Sequence, residues 1–438
     1  MNPNFAKVLN SRFDELNDLS VIKQRVTKIP PSPNSLMNTQ SDMIRNQITH
    51  LLNELYIPTT ADLKILHQLI GDMRAHCKSV YQTEQQFLSH IYTPLDDFLV
   101  NWHAPICLTG PAGVGKTSML RALKRLLPVA SEIEIGRGHD NIPTQSYWHI
   151  QVQSLSTSTA LLSPFVHTQL GDNNGRPRQI VPLCAKIAYK SGVSLLVLDE
   201  LQFLTQSSTA NTSVTKCLYQ MAYIGLPFIF AANYSLCRLL QRRPEQDRQR
   251  LLSRPQILLP ATPDSPDWSE YLSAIQAVLG DSLHIDLVRE RYVIYQFTAG
   301  LKRLTVQLIT LAYHLVWEKG LRQVTEADLR NAFDHTEYAT AREQASDMLS
   351  PYTQANKQYE CPFPLPKVTA AVLADHQKLL QQQLLAKKVQ TDALPSAERE
   401  ALGVVKQPKA PKASRKRKVT ADELRQAAYR RQSRRPIN

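Results

Sequence analysis

The stretch "LTGPAGVGKTSMLRAL" (Leu108–Leu123) decides the fold of this chain, because it satisfies G-x-x-x-x-G-K-[ST] from Gly110 to Thr117. An apolar run, "APICL", precedes it and a helix-forming run follows it. That strand–turn–helix setting separates a phosphate-binding loop from a chance match. Gly110, Gly113 and Gly115 let backbone N–H groups close around phosphates at the positive end of the next helix. Lys116 is the point charge for the outer phosphates and Thr117 the hydroxyl ligand for Mg²⁺. Pro111, Ala112, Val114 and Ser118 complete the candidate nucleotide contacts, so the expected cofactors are ATP and Mg²⁺.

A second motif lies further along, in "LLVLDELQFL" (Leu195–Leu204). Its apolar residues predict a buried strand with two carboxylates at its end. Asp199 is the candidate metal ligand and Glu200 the candidate general base for the attacking water. Capping of a following helix is the plainer role for such residues, but their place after a phosphate-binding loop favours the catalytic one.

Around these motifs the sequence alternates strand and helix. "APICL", "SYWHIQVQSL", "VSLLVLDE", "LPFIFAAN" and "PQILLP" read as five strands of a parallel α/β sheet, with ligands at their carboxyl ends. After Pro263 four helical stretches follow, broken by glycines, and predict a small all-helical domain. Before the loop, "TADLKILHQLIGDMRAHCKSVYQTEQQFLSHI" reads as one helix capped by Thr60 or Asp62.

Charge is concentrated at one end. The formal net charge is +13, and the residues from Lys406 onward hold twelve Lys or Arg against two acidic residues. Such a tail suits an acidic partner such as nucleic acid. The composition of its Pro/Lys segment predicts a stretch that does not fold alone, whereas Thr420 and Glu423 form a capping box before "LRQAAYRRQ". The six cysteines have no zinc-type spacing and the twelve histidines no H-x-x-E-H spacing, which argues against a structural zinc site or a metal-dependent nuclease. Without a run of about 18 apolar residues or a secretory leader, the chain reads as cytoplasmic.

The order of these motifs resembles the AAA+ ATPases. On that resemblance the fold is an α/β, P-loop NTPase core with a five-stranded parallel sheet, a small all-helical lid, and N- and C-terminal extensions. The expected boundaries are an N-terminal extension over 1–84, the nucleotide-binding core over 85–263 and the lid over 264–345. A linker and helix would occupy 346–405 and a basic tail 406–438. Asn233, closing "LPFIFAAN", would be the first sensor, and Arg303 in "TAGLKRLTVQL" the lid sensor. Of the arginines in "RRPEQDRQRLLSRPQILLP", Arg254, placed just before the fifth strand, is the first choice for an arginine finger and Arg250 the second.

A narrower resemblance is to the TnsC and TniB regulators of Tns-type transposons. It rests on Asp199, Glu200 and Gln202, on "LYQMAYIGLPFIFAAN", and on the "LLSRPQILLPATPDSPDWSEYL" and "TAGLKRLTVQLITLAYHLVWEKGLRQVTEADLRNAF" stretches. It implies an ATP-dependent oligomer, ring or filament, on duplex DNA that joins a target selector (TniQ-like, TnsD-like or CRISPR-linked) to transposase and comes apart on hydrolysis. DNA contact would run through phosphates, with Arg176, Arg178, Lys186 and Lys190 as candidates. A helicase loader or replication-initiator-like ATPase, and a DNA-binding scaffold with a structural ATP site, are the alternative readings.

Overall fold

The computed structural model describes residues 5–349 and 359–366, except 34–35, 96–100, 129–131, 135–140, 153–156, 171–179 and 202–209, together with single positions between 375 and 389. Contacts divide the chain into Met1–Gln377 and Lys378–Asn438, and everything below concerns the first.

Among the described residues seven strands follow in chain order: β1 (Ile106–Thr109), β2 (Glu132–Ile133), β3 (Ile142–Pro143), β4 (Trp148–Gln151), β5 (Leu196–Asp199), β6 (Phe228–Ala232) and β7 (Arg254–Ile257). Five of them form one sheet in the order β4-β5-β6-β1-β7, with every pairing parallel. This is the five-stranded parallel sheet the sequence implied. β1, β5 and β6 are buried along their whole length, as continuous apolar runs in a sheet covered on both faces must be. β7 is half-buried at the edge, the one position where Pro255 removes no shared ladder bond. The short antiparallel β2–β3 pair has too few residues to leave a sequence pattern, and the sequence reading contains no counterpart to it.

After short helical turns at Ala6–Asn10 and Asp14–Asn17, the N-terminal α-helices of the described residues are α1 (Leu19–Val26), α2 (Ser41–Glu54), α3 (Thr60–Val80) and α4 (Glu84–Tyr92). The single helix expected from Thr60 onward is thus two, because Tyr81 leaves helical geometry and Thr83 caps a new start by accepting from the Gln86 N–H. The cap of α3 is neither Thr60 nor Asp62 alone. Thr59 and Asp62 form a reciprocal capping box one residue earlier than expected.

The sheet carries α5 (Lys116–Leu126), α6 (Ser158–Leu170), α7 (Ile180–Lys190), α8 (Ala210–Ala222), α9 (Tyr234–Gln241) and α10 (Glu245–Leu251). The helical layer comprises α11 (Pro266–Leu279), α12 (Arg291–Thr298), α13 (Lys302–Glu318), α14 (Glu326–Asp334) and α15 (Ala339–Leu349). The last expected helix therefore divides, with His335 extended and a 3₁₀ turn at Thr336–Tyr338 between α14 and α15.

The residues read as an N-terminal extension are built into both layers. Phe5, Leu9 and Phe13 share a core cluster with Ile106, Leu108 and Ile229. Ile44, Ile48 and Leu52 of α2 share another with Leu308, Ala312 and Val316 of α13. α2 supplies an apolar face that the helical layer needs to close its core. Downstream, residues 359–366 lie along α9, where Gln241 Nε2 donates to the Pro362 carbonyl at 2.6 Å and Arg238 donates to that of Glu360. Of the rest of the expected linker and helix over 346–405, residues 346–349 finish α15 and the described single positions between 375 and 389 are helical, while the remainder, like the basic tail with its Thr420–Glu423 box, lies outside the described residues. Among the described residues no helix is long and apolar enough to cross a membrane.

Burial, aided by His103 and Arg12, lowers the pKa of His76 on α3 from 6.5 to about 4. The unfolded chain therefore binds more protons than the folded one between these values. Stability falls as pH drops through that window and is unaffected by this group above it. Denaturant melts at about pH 7.5 and about pH 5 should show a larger loss for the wild type than for His76→Asn. Equal losses would remove His76 as the cause.

Candidate functional site

Parallel strands end in turns, and here three of those turns meet. β1 runs into Gly110, β5 ends on Asp199 and β6 runs into Asn233, so all three lie at the carboxyl edge of the sheet. Gly110 has no room for a side chain, since a Cβ there would sit 2.4 Å from the Leu258 carbonyl oxygen. Gly113 and Gly115 adopt φ of 87° and 115°, the left-handed region glycine tolerates at little cost. Gly115 is also the N-cap of α5, so Lys116, Thr117 and Ser118 open that helix.

Lys116 Nζ donates to the carbonyls of Gly110 at 2.8 Å and Pro111 at 3.1 Å. Burial lowers its pKa to about 8, against the raising influence of Cys237, Glu200 and Asp199. The ammonium is thus held inside the loop in a setting where an anion would stabilise its charge.

Thr117 Oγ1 lies 3.5 Å from Asp199 Oδ1, which joins the first helical turn to the end of β5. Asp199 is 2% exposed; its Oδ1 accepts the Glu200 N–H at 2.9 Å, while its buried Oδ2 accepts no hydrogen bond among the described residues. A buried carboxylate oxygen without a donor, next to a threonine hydroxyl, is the donor set a hard divalent cation takes. The residues present therefore fit Mg²⁺. Glu200 has φ of 59°, an uncommon conformation for a non-glycine residue, and it turns the chain sharply after β5.

Asn233 caps α9, its Oδ1 accepting from the Leu236 N–H at 3.0 Å and the Ser235 hydroxyl at 2.8 Å. Its amide nitrogen is the part that remains for a ligand. The helical layer closes the site from the other side. The Arg303 N–H donates to the Gly113 carbonyl at 3.2 Å, and a Cβ on Gly113 would meet Arg303 Cβ and Nε at 3.0 Å.

Gly113, Gly115, Lys116, Thr117, Asp199, Glu200, Asn233 and Arg303 line one cavity of about 510 Å³. The rest of its lining is one that motif reading did not find: Leu52, Tyr56 and Ile57 from the N-terminal segment, with Tyr271 and Lys302 from the helical layer. Lys302 ties this wall together. Its Nζ donates to the Ile57 carbonyl at 3.2 Å, lies 3.6 Å from Asp62 Oδ2, and stands 5.4 and 5.7 Å from the ring centres of Tyr56 and Tyr271. One sequence signal was available. α13 opens with Lys302 and Arg303, cations at the positive end of a helix, where they are unfavourable unless an anion or carbonyl receives them.

Neither finger candidate lines this cavity. Arg254 is the first residue of β7, not the residue before it, and its Nη2 pairs with Asp72 Oδ2 of α3 at 2.5 Å. Arg250, at the end of α10, lies over the Trp102 ring at 5.8 Å. Of the candidate DNA contacts, Lys186 donates to the Thr93 carbonyl at 2.6 Å and Lys190 is exposed at the end of α7. Arg176 and Arg178 lie outside the described residues, as does Gln202.

No curated protein matches the chain by sequence. Among solved structures it is similar to the Aeropyrum pernix ORC1 protein in complex with DNA, at 15% identity and a TM-score of 0.38, covering 62% of this chain and 68% of that one. It is similar to the ADP form of the Aeropyrum pernix ORC2 protein at 13% identity and a TM-score of 0.38, covering 72% and 86%. The Thermotoga maritima RuvB Holliday junction branch migration motor follows at 12% identity and a TM-score of 0.34, covering 66% and 80%. No residue role is carried over from likenesses of this size. Residues 103–240, which hold the glycine loop, the Asp199–Glu200 turn and the Asn233 cap, match the family model described as AAA domain.

Proposed function

We propose that this protein is an ATP-hydrolysing switch that assembles on duplex DNA and connects target-site selection to a transposase. The observation that carries the ATPase part is the meeting of Lys116, Thr117, Asp199 and Glu200 on one cavity, with a buried Asp199 oxygen lacking a donor.

In this reading Gly110 to Ser118 wrap the phosphates, and Lys116 exchanges its two carbonyl partners for phosphate oxygens. Thr117 and Asp199 hold Mg²⁺, which when bound draws charge from the phosphates. Glu200 accepts the proton of the attacking water, and the amide nitrogen of Asn233 orients it. Arg303 reaches the outer phosphate from the helical layer. The apolar wall of Leu52, Tyr56, Ile57 and Tyr271 receives the base.

Arg250 is the better finger for a neighbouring subunit. Arg254 already has a carboxylate partner, whereas Arg250 rests on the Trp102 ring and the Tyr219 hydroxyl, neutral partners that hold a guanidinium less firmly than a carboxylate does. Shared completion of the site makes assembly depend on ATP, and hydrolysis then removes the shared contact. The transposition reading is supported by the Asp199–Glu200–Gln202 continuation and the later stretches that resemble TnsC and TniB. Lys190 and the basic tail supply charges for DNA phosphates or an acidic protein face.

Electron microscopy of the purified chain on linear duplex DNA tests this. Rings or filaments should form in ATP, be absent in ADP, and be lost in Arg250→Ala. Assembly confined to single strands would transfer the protein to the helicase-loader class. No assembly together with no turnover would leave a scaffold.

A further inference from the structure

We propose that Gln344, on the last helix of the helical layer, is a positioning residue for the phosphate-binding loop. The proposal rests on the ATP reading above and deepens it.

Three groups meet at the loop tip. Gln344 Nε2 donates to the Ala112 carbonyl at 3.2 Å, and Gln344 Oε1 accepts from Arg303 Nη2 at 3.1 Å. The Arg303 N–H donates to the next carbonyl, that of Gly113. Two successive loop carbonyls are therefore held by donors from α13 and α15. In a trans peptide the N–H points opposite to the C=O, so fixing the Ala112 carbonyl also fixes the direction of the Gly113 N–H. A phosphate nest works through such N–H groups, and a donor set in advance costs no reorganisation when the anion arrives.

The side-chain type is selective. A carboxamide carries a donor and an acceptor at one end, so it can receive the guanidinium and hold the carbonyl at once. Glutamate could only accept, and would set a carboxylate oxygen against the Ala112 carbonyl oxygen. Lysine could only donate, and would repel Arg303.

The helix bearing Gln344 is anchored for this task. Ala345 is buried in the cluster that contains Val114 of the loop and Leu301 and Leu304 beside Arg303, with Ala341, Met348 and Leu349 packed against it. α15 lies outside the matched AAA segment, so the readiness of the loop depends on a helix beyond that segment. Displacing α15 would release the Ala112 peptide and the Arg303 guanidinium together.

The experiment titrates a fluorescent N-methylanthraniloyl ATP into the full chain as wild type, Gln344→Ala, Gln344→Glu, Arg303→Ala and the Arg303→Ala/Gln344→Ala double variant, with Lys116→Ala as control. Each is also melted without nucleotide. Gln344→Ala should weaken binding about tenfold and Gln344→Glu more, with unliganded melting temperatures within about 2 °C of wild type. The double variant should lose less than the two single losses combined, because one residue acts through the other. Unchanged affinity in both Gln344 variants overturns the proposal. So does a loss that follows a fall in unliganded melting temperature, or two losses that simply add. If the wild type itself fails to bind, or Lys116→Ala binds as well as wild type, the ATP reading fails first and this role fails with it.

Discussion

Glu200→Gln should abolish turnover, by a hundredfold or more on the order of magnitude expected for loss of a general base, while leaving ATP bound. The substitution keeps size and hydrogen bonding but removes the proton acceptor. It also leaves the backbone as it is, with the Glu200 N–H on Asp199 Oδ1 and φ in the left-handed region. That φ has a mechanistic consequence. β5 ends on a buried Asp199, and a sharp turn there brings the next carboxylate to the same cavity instead of the opposite face. Left-handed backbone at a non-glycine residue costs on the order of 1 kcal/mol, which the fold retains at its candidate base. Phosphate release and nucleotide titration, run side by side, read the result. Turnover within about threefold of wild type would show that another group takes the proton.

The second large effect is on binding. Lys116→Ala should weaken ATP about a hundredfold or more, since a charge-assisted contact to the phosphates disappears at the centre of the loop. The unliganded protein should keep its melting temperature. Burial already disfavours the ammonium, lowering its pKa to about 8, so its removal relieves one cost while forfeiting the bonds to Gly110 and Pro111. Affinity within about threefold of wild type would mean that the triphosphate lies elsewhere.

In the proposed function the two effects separate the halves of the site, one to hold the nucleotide and the other to consume it. Both halves were legible in the sequence because their signals are local. A phosphate-binding loop is eight residues with fixed glycines, and a buried strand with two terminal carboxylates is shorter still. β1, β5 and β6 were legible for the same reason, as uninterrupted apolar runs, and β4 as an alternating one. Errors fell where the signal depends on neighbours. Thr60–Tyr92 carries helical spacing throughout, and only the 3D break at Tyr81, whose ring packs beside Phe87 and Tyr189, divides it. The split between α14 and α15 likewise follows Tyr338, whose hydroxyl donates to the Phe297 and Leu304 carbonyls.

By itself the sequence determined the strand–loop–helix unit, the carboxylate turn, the parallel sheet and the charge of the tail. These are properties of contiguous residues, governed by backbone freedom, side-chain period and local charge. Only the tertiary structure decided that residues 36–57 complete the helical layer, that Lys302 joins Ile57 and Asp62 across more than two hundred positions, that Arg254 belongs to Asp72, and that Gln344 holds Ala112. Each of those joins partners distant in sequence, where neither carries a local pattern. Their pairing follows from which apolar faces must close against one another, and the closure of the N-terminal segment on the helical layer brings Leu52, Tyr56, Ile57, Tyr271 and Lys302 onto the site cavity.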